Sequence, residues 1–285
     1  MRLLNASGCL DALTAPEVAR SLDVFVTKTV TPLPREGNPP DRIAETDVGM
    51  LNSIGLANPG IERFCSSTLA DLAGLGVPLW VSVGGFSADD YAASCERLDE
   101  RAEVEALELN LSCPNVDEAP ESAAEIVAAC RSRTRKLLYA KLAPNGDVAE
   151  VARAVEAAGA DGLSLVNTIR GMALDATTLR PRLGRGVGGL SGPALRPVAL
   201  AAVFTCRRVA ELPIVGMGGV ETGSHALELL AAGATDVALG TALFADPDAP
   251  RRVRAELETA LAAHGFERAD EAVGVAHSGD FVQIS

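Results

Sequence analysis

A chain of 285 residues with 48% hydrophobic and 22% charged residues has the composition of a soluble globular protein, long enough for one large domain or two small ones. No run of about 18 apolar residues occurs, and the first strand-like segment begins two residues in, so a membrane span and a signal peptide are not expected and a cytoplasmic protein is. The net charge of -13 argues against a nucleic-acid backbone as partner, and six cysteines without any C-x-x-C pair argue for reduced thiols over a zinc or iron–sulfur site.

In chain order, the first apolar run is Leu3 to Ala6, followed by a helical segment near Ala15 to Ser21 and a second run, Val24 to Lys28. Residues 29–78 then form a connection too long for a simple turn. It holds Arg35-Glu-Gly-Asn-Pro39 and Asn52-Ser-Ile-Gly-Leu-Ala-Asn-Pro-Gly60, stretches that bend backbone and present amides. A strand at Leu79 to Val83 and a helix at Ala88 to Arg101 lead to the strand Ala106 to Leu111. This strand ends in Glu108-Leu-Asn-Leu-Ser-Cys-Pro-Asn-Val116, where Asn110 and Asn115 bracket the thiol of Cys113. Such a thiol is either a base or nucleophile beside amides that hold a planar ligand, or a small buried hydrophobe next to a proline turn.

A helix at Glu121 to Arg133 and a strand at Leu137 to Leu142 follow. The latter carries Lys141, one of three lysines against 22 arginines, which suggests that the compact ammonium of Lys141, like that of Lys28 at another strand end, is used for its charge. The plainer alternative is a charge that snorkels from a strand end. Beyond a helix at Val148 to Ala158 come a strand at Gly162 to Asn167 and a second long connection, residues 168–191, ending in Gly188-Gly-Leu-Ser-Gly192. A helix at Pro193 to Glu211, a strand at Pro213 to Met217, a helix at Gly223 to Ala232, a strand at Asp236 to Gly240 and a helix at Ala249 to His264 complete the pattern. His225, His264 and His277 have no metal-ligand spacing.

Eight strand-like runs with helices between them predict a single-domain (β/α)8 TIM barrel over residues 1–285, with the two long connections lying over its C-terminal face. An open doubly wound sheet is the alternative, but no Gly-x-Gly-x-x-Gly follows the first strand. The glycines of Gly216-Met-Gly-Gly-Val220 and Gly240-Thr-Ala242 follow the seventh and eighth strands, where barrels commonly bind phosphate.

These residues carry a family resemblance. The motifs Asn5-Ala-Ser-Gly8, Thr27-Lys-Thr29, Arg35-Glu-Gly-Asn-Pro39, Asn52-Ser-Ile-Gly-Leu56, Glu108 to Asn115, Lys141, Val166-Asn-Thr168, Gly188 to Gly192, Gly218-Gly219 and Gly240-Thr241 resemble those of class 1 dihydroorotate dehydrogenases over roughly residues 4–275. The resemblance implies an FMN-containing barrel that oxidises dihydroorotate to orotate in pyrimidine synthesis. It implies Cys113 as the base at C5 of the substrate, assisted by Lys28 and Asn110. Lys28, Asn52, Ser53, Ile54, Gly55, Leu56, Asn110, Asn115, Asn167 and Thr168 would hold orotate. Ala6, Ser7, Gly8, Lys28, Thr29, Asn110, Lys141, Val166, Gly192, Gly218, Gly219, Gly240 and Thr241 would hold FMN; no metal is implied.

Within class 1, Asn167-Thr168, Gly171-Met-Ala-Leu-Asp175 and Gly188 to Pro193 are similar to the NAD-linked branch, whereas Ser53 and Ser82 are more similar to the fumarate-linked one. The balance favours an NAD-linked catalytic subunit. The resemblance implies a homodimer, joined in that branch by an iron–sulfur flavoprotein subunit into a heterotetramer. The alternatives are a related FMN barrel acting on another pyrimidine, or a phosphate-binding barrel without flavin.

Overall fold

Eight parallel strands surround a packed interior in the computed structural model, which describes residues 1–111 and 122–279. In chain order the elements are β1 (Leu3–Asn5), α1 (Pro16–Arg20), β2 (Phe25–Val26), β3 (Ile43–Thr46), β4 (Gly49–Asn52), α2 (Ile61–Arg63), a π-helical stretch (Phe64–Thr68), α3 (Leu69–Ala73), β5 (Leu79–Val83), α4 (Ala88–Asp99), β6 (Val104–Asn110) and α5 (Ala123–Arg131). Then come β7 (Leu137–Leu142), α6 (Val148–Ala157), β8 (Gly162–Leu165), β9 (Ile169–Gly171), β10 (Gly188–Ser191), α7 (Arg196–Arg207), β11 (Ile214–Met217), α8 (Gly223–Ala232), β12 (Asp236–Leu239), α9 (Ala242–Ala245) and α10 (Ala249–Ala263).

The large sheet runs in the order β1-β12-β11-β8-β7-β6-β5-β2, and a parallel bridge between Leu4 and Val24 brings its two edges together. The seam is held by a side chain. Asn5 Nδ2 donates to the Val26 carbonyl at 2.7 Å and Asn5 Oδ1 accepts from Val26 N–H at 2.8 Å, so a buried carboxamide replaces a rung of the ladder where β2 is short. The fold is therefore a (β/α)8 barrel, and all eight predicted strands are present.

Two cores follow from strand parity. The large one lies between strands and helices, with Leu3, Val81, Leu107, Leu109, Leu138, Leu163 and Leu239 facing outward against helical residues such as Val127, Val203 and Leu230. The small one fills the barrel: Leu4, Val24, Val26, Trp80, Ala106, Tyr139, Val215, Met217 and Ala238. Trp80 and Tyr139 have ring centroids 4.2 Å apart. A Cβ at position 162 would lie 2.3 Å from the Tyr139 ring, so glycine on β8 makes room for it.

The long connections contain more structure than the sequence reading assigned. β3, β4, β10 and β9 form a four-stranded antiparallel sheet, joining residues from both connections. Residues 61–73 are helical almost throughout. Serine, threonine and aspartate at 87, 122, 222 and 147 cap the N-termini of α4, α5, α8 and α6 through their side chains, in agreement with the predicted helix starts. No helix among the described residues is long and apolar enough to cross a membrane.

Candidate active site

Above the apolar interior, β6 continues its inward face from Ala106 through Glu108 to Asn110, and β7 does so from Tyr139 to Lys141. The first polar layer thus lies directly under a cavity of about 350 Å³. Asn110, at the end of β6, is the hub of that layer. Its Nδ2 donates to Thr29 Oγ1 at 3.1 Å, its Oδ1 accepts from Asn167 Nδ2 at 2.9 Å, and its carbonyl accepts from the buried Tyr91 hydroxyl at 2.7 Å. Thr29 Oγ1 lies 2.9 Å from Ser82 Oγ, and Asn167 Oδ1 accepts from Thr168 N–H at 2.9 Å. Four strand ends are tied into one polar chain, which fixes the carboxamides before any ligand arrives.

Lys28 and Lys141 are the two charged residues among the described residues lining the cavity. They sit in different company. Lys141 is buried, with Nζ 3.3 Å from Glu108 Oε1 and 2.9 Å from Ser7 Oγ. The Lys28 ammonium has no hydrogen-bond or ion-pair partner among the described residues, and its pKa is lowered, by burial first and by Arg42 second. One uncompensated cation in a chain of net charge -13 marks the cavity as a receptor for an anion.

The opposite end is made of backbone. Gly218, Gly219, Gly240 and Thr241 line it, and their N–H groups have no acceptor among the described residues. Gly219 has φ of +69°, and a Cβ there would lie 2.8 Å from the Gly192 carbonyl oxygen, so only glycine lets the two backbones meet. Free N–H groups at adjacent strand ends suit a phosphate.

Most predicted site residues converge. Ala6, Ser7, Gly8, Lys28, Thr29, Asn52, Ile54, Gly55, Leu56, Asn110, Lys141, Val166, Asn167, Thr168, Gly192, Gly218, Gly219, Gly240 and Thr241 all line the cavity. Ser53 does not: it is buried, and its Oγ accepts from Asn38 Nδ2 at 2.8 Å. Alternation along the chain turns it away from Asn52 and Ile54. Cys113 and Asn115 lie outside the described residues. Leu56 holds φ of +57°, uncommon for a branched side chain and placed at the cavity wall.

Residues that the sequence reading missed are Cys9, Ile43, Met50, Ser191, Leu195, Met217 and Phe244. Met217 shares inward parity with Val215, a signal available in the strand pattern. Ile43, Met50 and Ser191 arrive on the four-stranded sheet. Burial pushes the Cys9 thiol up, with Lys141 pulling it back and Glu108 adding to the rise, so this thiol remains protonated near neutral pH.

Residues 2–261 match the protein-family model described as Dihydroorotate dehydrogenase. The chain is 46% identical over 264 residues to a Desulforudis audaxviator protein named Dihydroorotate dehydrogenase B (NAD(+)), catalytic subunit, covering 90% of this chain and 86% of that one. A Listeria monocytogenes protein of the same name is 42% identical, covering 93% and 90%. A Solibacter usitatus protein provisionally named dihydroorotate dehydrogenase A (fumarate) is 43% identical, covering 89% and 86%. In fold, the chain superposes on the ferulenol complex of Eimeria tenella DHODH with a TM-score of 0.80 at 23% identity, covering 98% of this chain and 86% of that one.

Proposed function

Because the chain belongs to the dihydroorotate dehydrogenase family, we propose that it oxidises dihydroorotate to orotate in pyrimidine synthesis, with Cys113 as the base. The observation that carries the reading is the single cavity in which Asn52, Asn110 and Asn167 meet Lys28, Lys141 and the free backbone donors. A planar ring with amide edges and a carboxylate needs this mixture of paired donors, acceptors and one cation.

FMN is the cofactor of the family, and the residues present fit it. The N–H groups of Gly218, Gly219, Gly240 and Thr241 would take its phosphate, while Ala6, Ser7, Gly8, Thr29, Val166, Gly192 and Lys141 would line its ring and side chain. When bound, FMN supplies the acceptor for the hydride that leaves C6 of the substrate. The protein does the rest. The thiolate of Cys113 removes the C5 proton, Asn110 and Asn167 hold the ring amides in the orientation set by Thr29, Tyr91 and Ser82, and Lys28 meets the substrate's negative charge.

The names of the relatives support the NAD-linked branch, with electrons passed on through a separate iron–sulfur flavoprotein subunit; fumarate is the competing acceptor. A cytoplasmic homodimer, enlarged by that subunit to a heterotetramer, completes the proposal. Ser53 and Ser82, the residues most like the fumarate branch, are engaged by Asn38 and Thr29 beneath the cavity wall, so neither bears directly on the acceptor.

The test is an anaerobic titration of purified protein with dihydroorotate, followed by visible flavin absorbance, then addition of fumarate or NAD. Bleaching supports the reading. Recovery with fumarate alone would replace the NAD-linked proposal, and a yellow protein that never bleaches would move the assignment to another pyrimidine.

A pH dependence follows from Lys28. Orotate affinity is expected to be full at neutral pH and to fall as the pH rises through the lowered Lys28 value, earlier than for an ordinary lysine near about 10.4. The deprotonated amine no longer attracts the carboxylate. Orotate titrations across the alkaline range should show this limb in the wild type and a flatter one in Lys28→Arg; an unchanged limb would remove Lys28 from it.

A further inference from the structure

The buried Glu108–Lys141 pair is a costly feature for a barrel interior. The two side chains are 2% and 5% exposed, and each charge loses its water on folding. Breaking such a pair by removing one partner is destabilising, whereas a well-packed apolar pair in the same place is often no worse for stability. Stability is therefore a weak reason for the pair. What an apolar pair lacks is an ammonium at a fixed point on the cavity floor whose charge is already compensated.

The geometry fits that role. Glu108 occupies the inward position of β6 between Ala106, in the apolar interior, and Asn110, which lines the cavity; it does not line the cavity itself. Lys141 does line it. An ammonium has three donors; one is directed to Glu108 and one to Ser7, and the third has no acceptor among the described residues, which leaves it for a ligand. Glu108 lies on β6 and Ser7 in the loop after β1, so they fix Nζ from two parts of the barrel.

We propose that Glu108 is a positioning residue that holds Lys141 against the flavin and sets the flavin's reduction potential by offsetting the lysine charge. The inference rests on the reading that FMN occupies this cavity. An uncompensated cation beside the ring would favour the reduced cofactor and make it a weaker donor to the next acceptor. The carboxylate of Glu108 limits that effect while keeping the Lys141 donor in place.

The experiment is measurement of the midpoint potential of FMN bound to the purified protein, by equilibration with reference dyes under anaerobic conditions. Glu108→Gln keeps shape and an acceptor oxygen but leaves Lys141 uncompensated. Its reduced-to-oxidised ratio at fixed potential should rise about tenfold, a positive shift of about 30 mV for a two-electron couple. Glu108→Asp retains the charge and should stay nearer the wild type. In Glu108→Gln with Lys141→Gln, where both charges are gone, the potential should return towards it.

A flavin-loaded Glu108→Gln protein with an unmoved potential would overturn the proposal and leave the dehydrogenase reading intact. If Glu108→Gln fails to fold or to hold flavin, Lys141→Gln alone decides: it should shift the potential negative, and no shift overturns the proposal. A wild-type protein that binds no FMN would overturn the reading of the cavity, and this inference with it.

Discussion

Cys113→Ser is expected to keep FMN and to bind orotate, yet to turn over dihydroorotate about 10² to 10⁴-fold more slowly at neutral pH, the usual loss when a general base is removed. A free thiol ionises near about pH 8.5, so a modest favour from its surroundings yields thiolate in the neutral range; a serine hydroxyl does not ionise there. Binding should survive because the carboxamide hub keeps the partners described above. Asn110, three positions earlier, is fixed by Tyr91, Thr29 and Asn167. The rate in the variant should climb with pH well beyond the wild-type plateau. Near-normal turnover at neutral pH would exclude Cys113 as the base. Cys9, a thiol that lines the cavity, is raised by burial and is a poor substitute.

Asn110→Ala should weaken orotate binding about 100-fold while costing FMN far less. Truncation removes one side chain and takes a partner from two others: Thr29 loses the donor at 3.1 Å, and Asn167 loses the acceptor at 2.9 Å that orients its own amide. At roughly 1 to 1.5 kcal/mol for each hydrogen bond lost, two such losses give about that factor. The donors proposed for the FMN phosphate, at Gly218, Gly219, Gly240 and Thr241, lie at other strand ends. Orotate and FMN titrations of the variant separate the two. If flavin is lost while orotate affinity survives, Asn110 serves the cofactor instead.

The barrel was legible because most of its strands are short, largely apolar runs buried on both faces, as in Leu79–Val83. The four-stranded sheet was not. β3 alternates exposed and buried residues over only four positions, and β10 begins with two glycines, so pairing with β4, not intrinsic preference, makes them strands. The helical stretch of residues 61–73 was hidden by Pro59-Gly60 before it and by the polar Phe64–Thr68 segment, which adopts π geometry. In the site, chemistry was readable and packing was not. Scarce lysines, carboxamides and glycines at strand ends stand out, whereas Ile43, Met50 and Phe244 reach the cavity only through tertiary arrangement. Ser53 was misplaced for the same reason: a motif names neighbours in sequence, and the pleat assigns them to opposite sides.

The pairing of the first barrel strand with the eighth also fixes an order of events. β1 pairs with β12, and the Arg2 amide donates to Asp236 across a separation of 234 residues, so β1 waits for the other seven barrel strands to be synthesised before its β12 partner exists. Ser7 and Gly8 follow the first of these strands, and Gly240 and Thr241 follow the last. The groups proposed to bind the cofactor are therefore split between the first and the eighth barrel strand. Flavin capture belongs at the end of assembly, and an emerging chain on the ribosome should take up none until Asp236–Leu239 has left the exit tunnel.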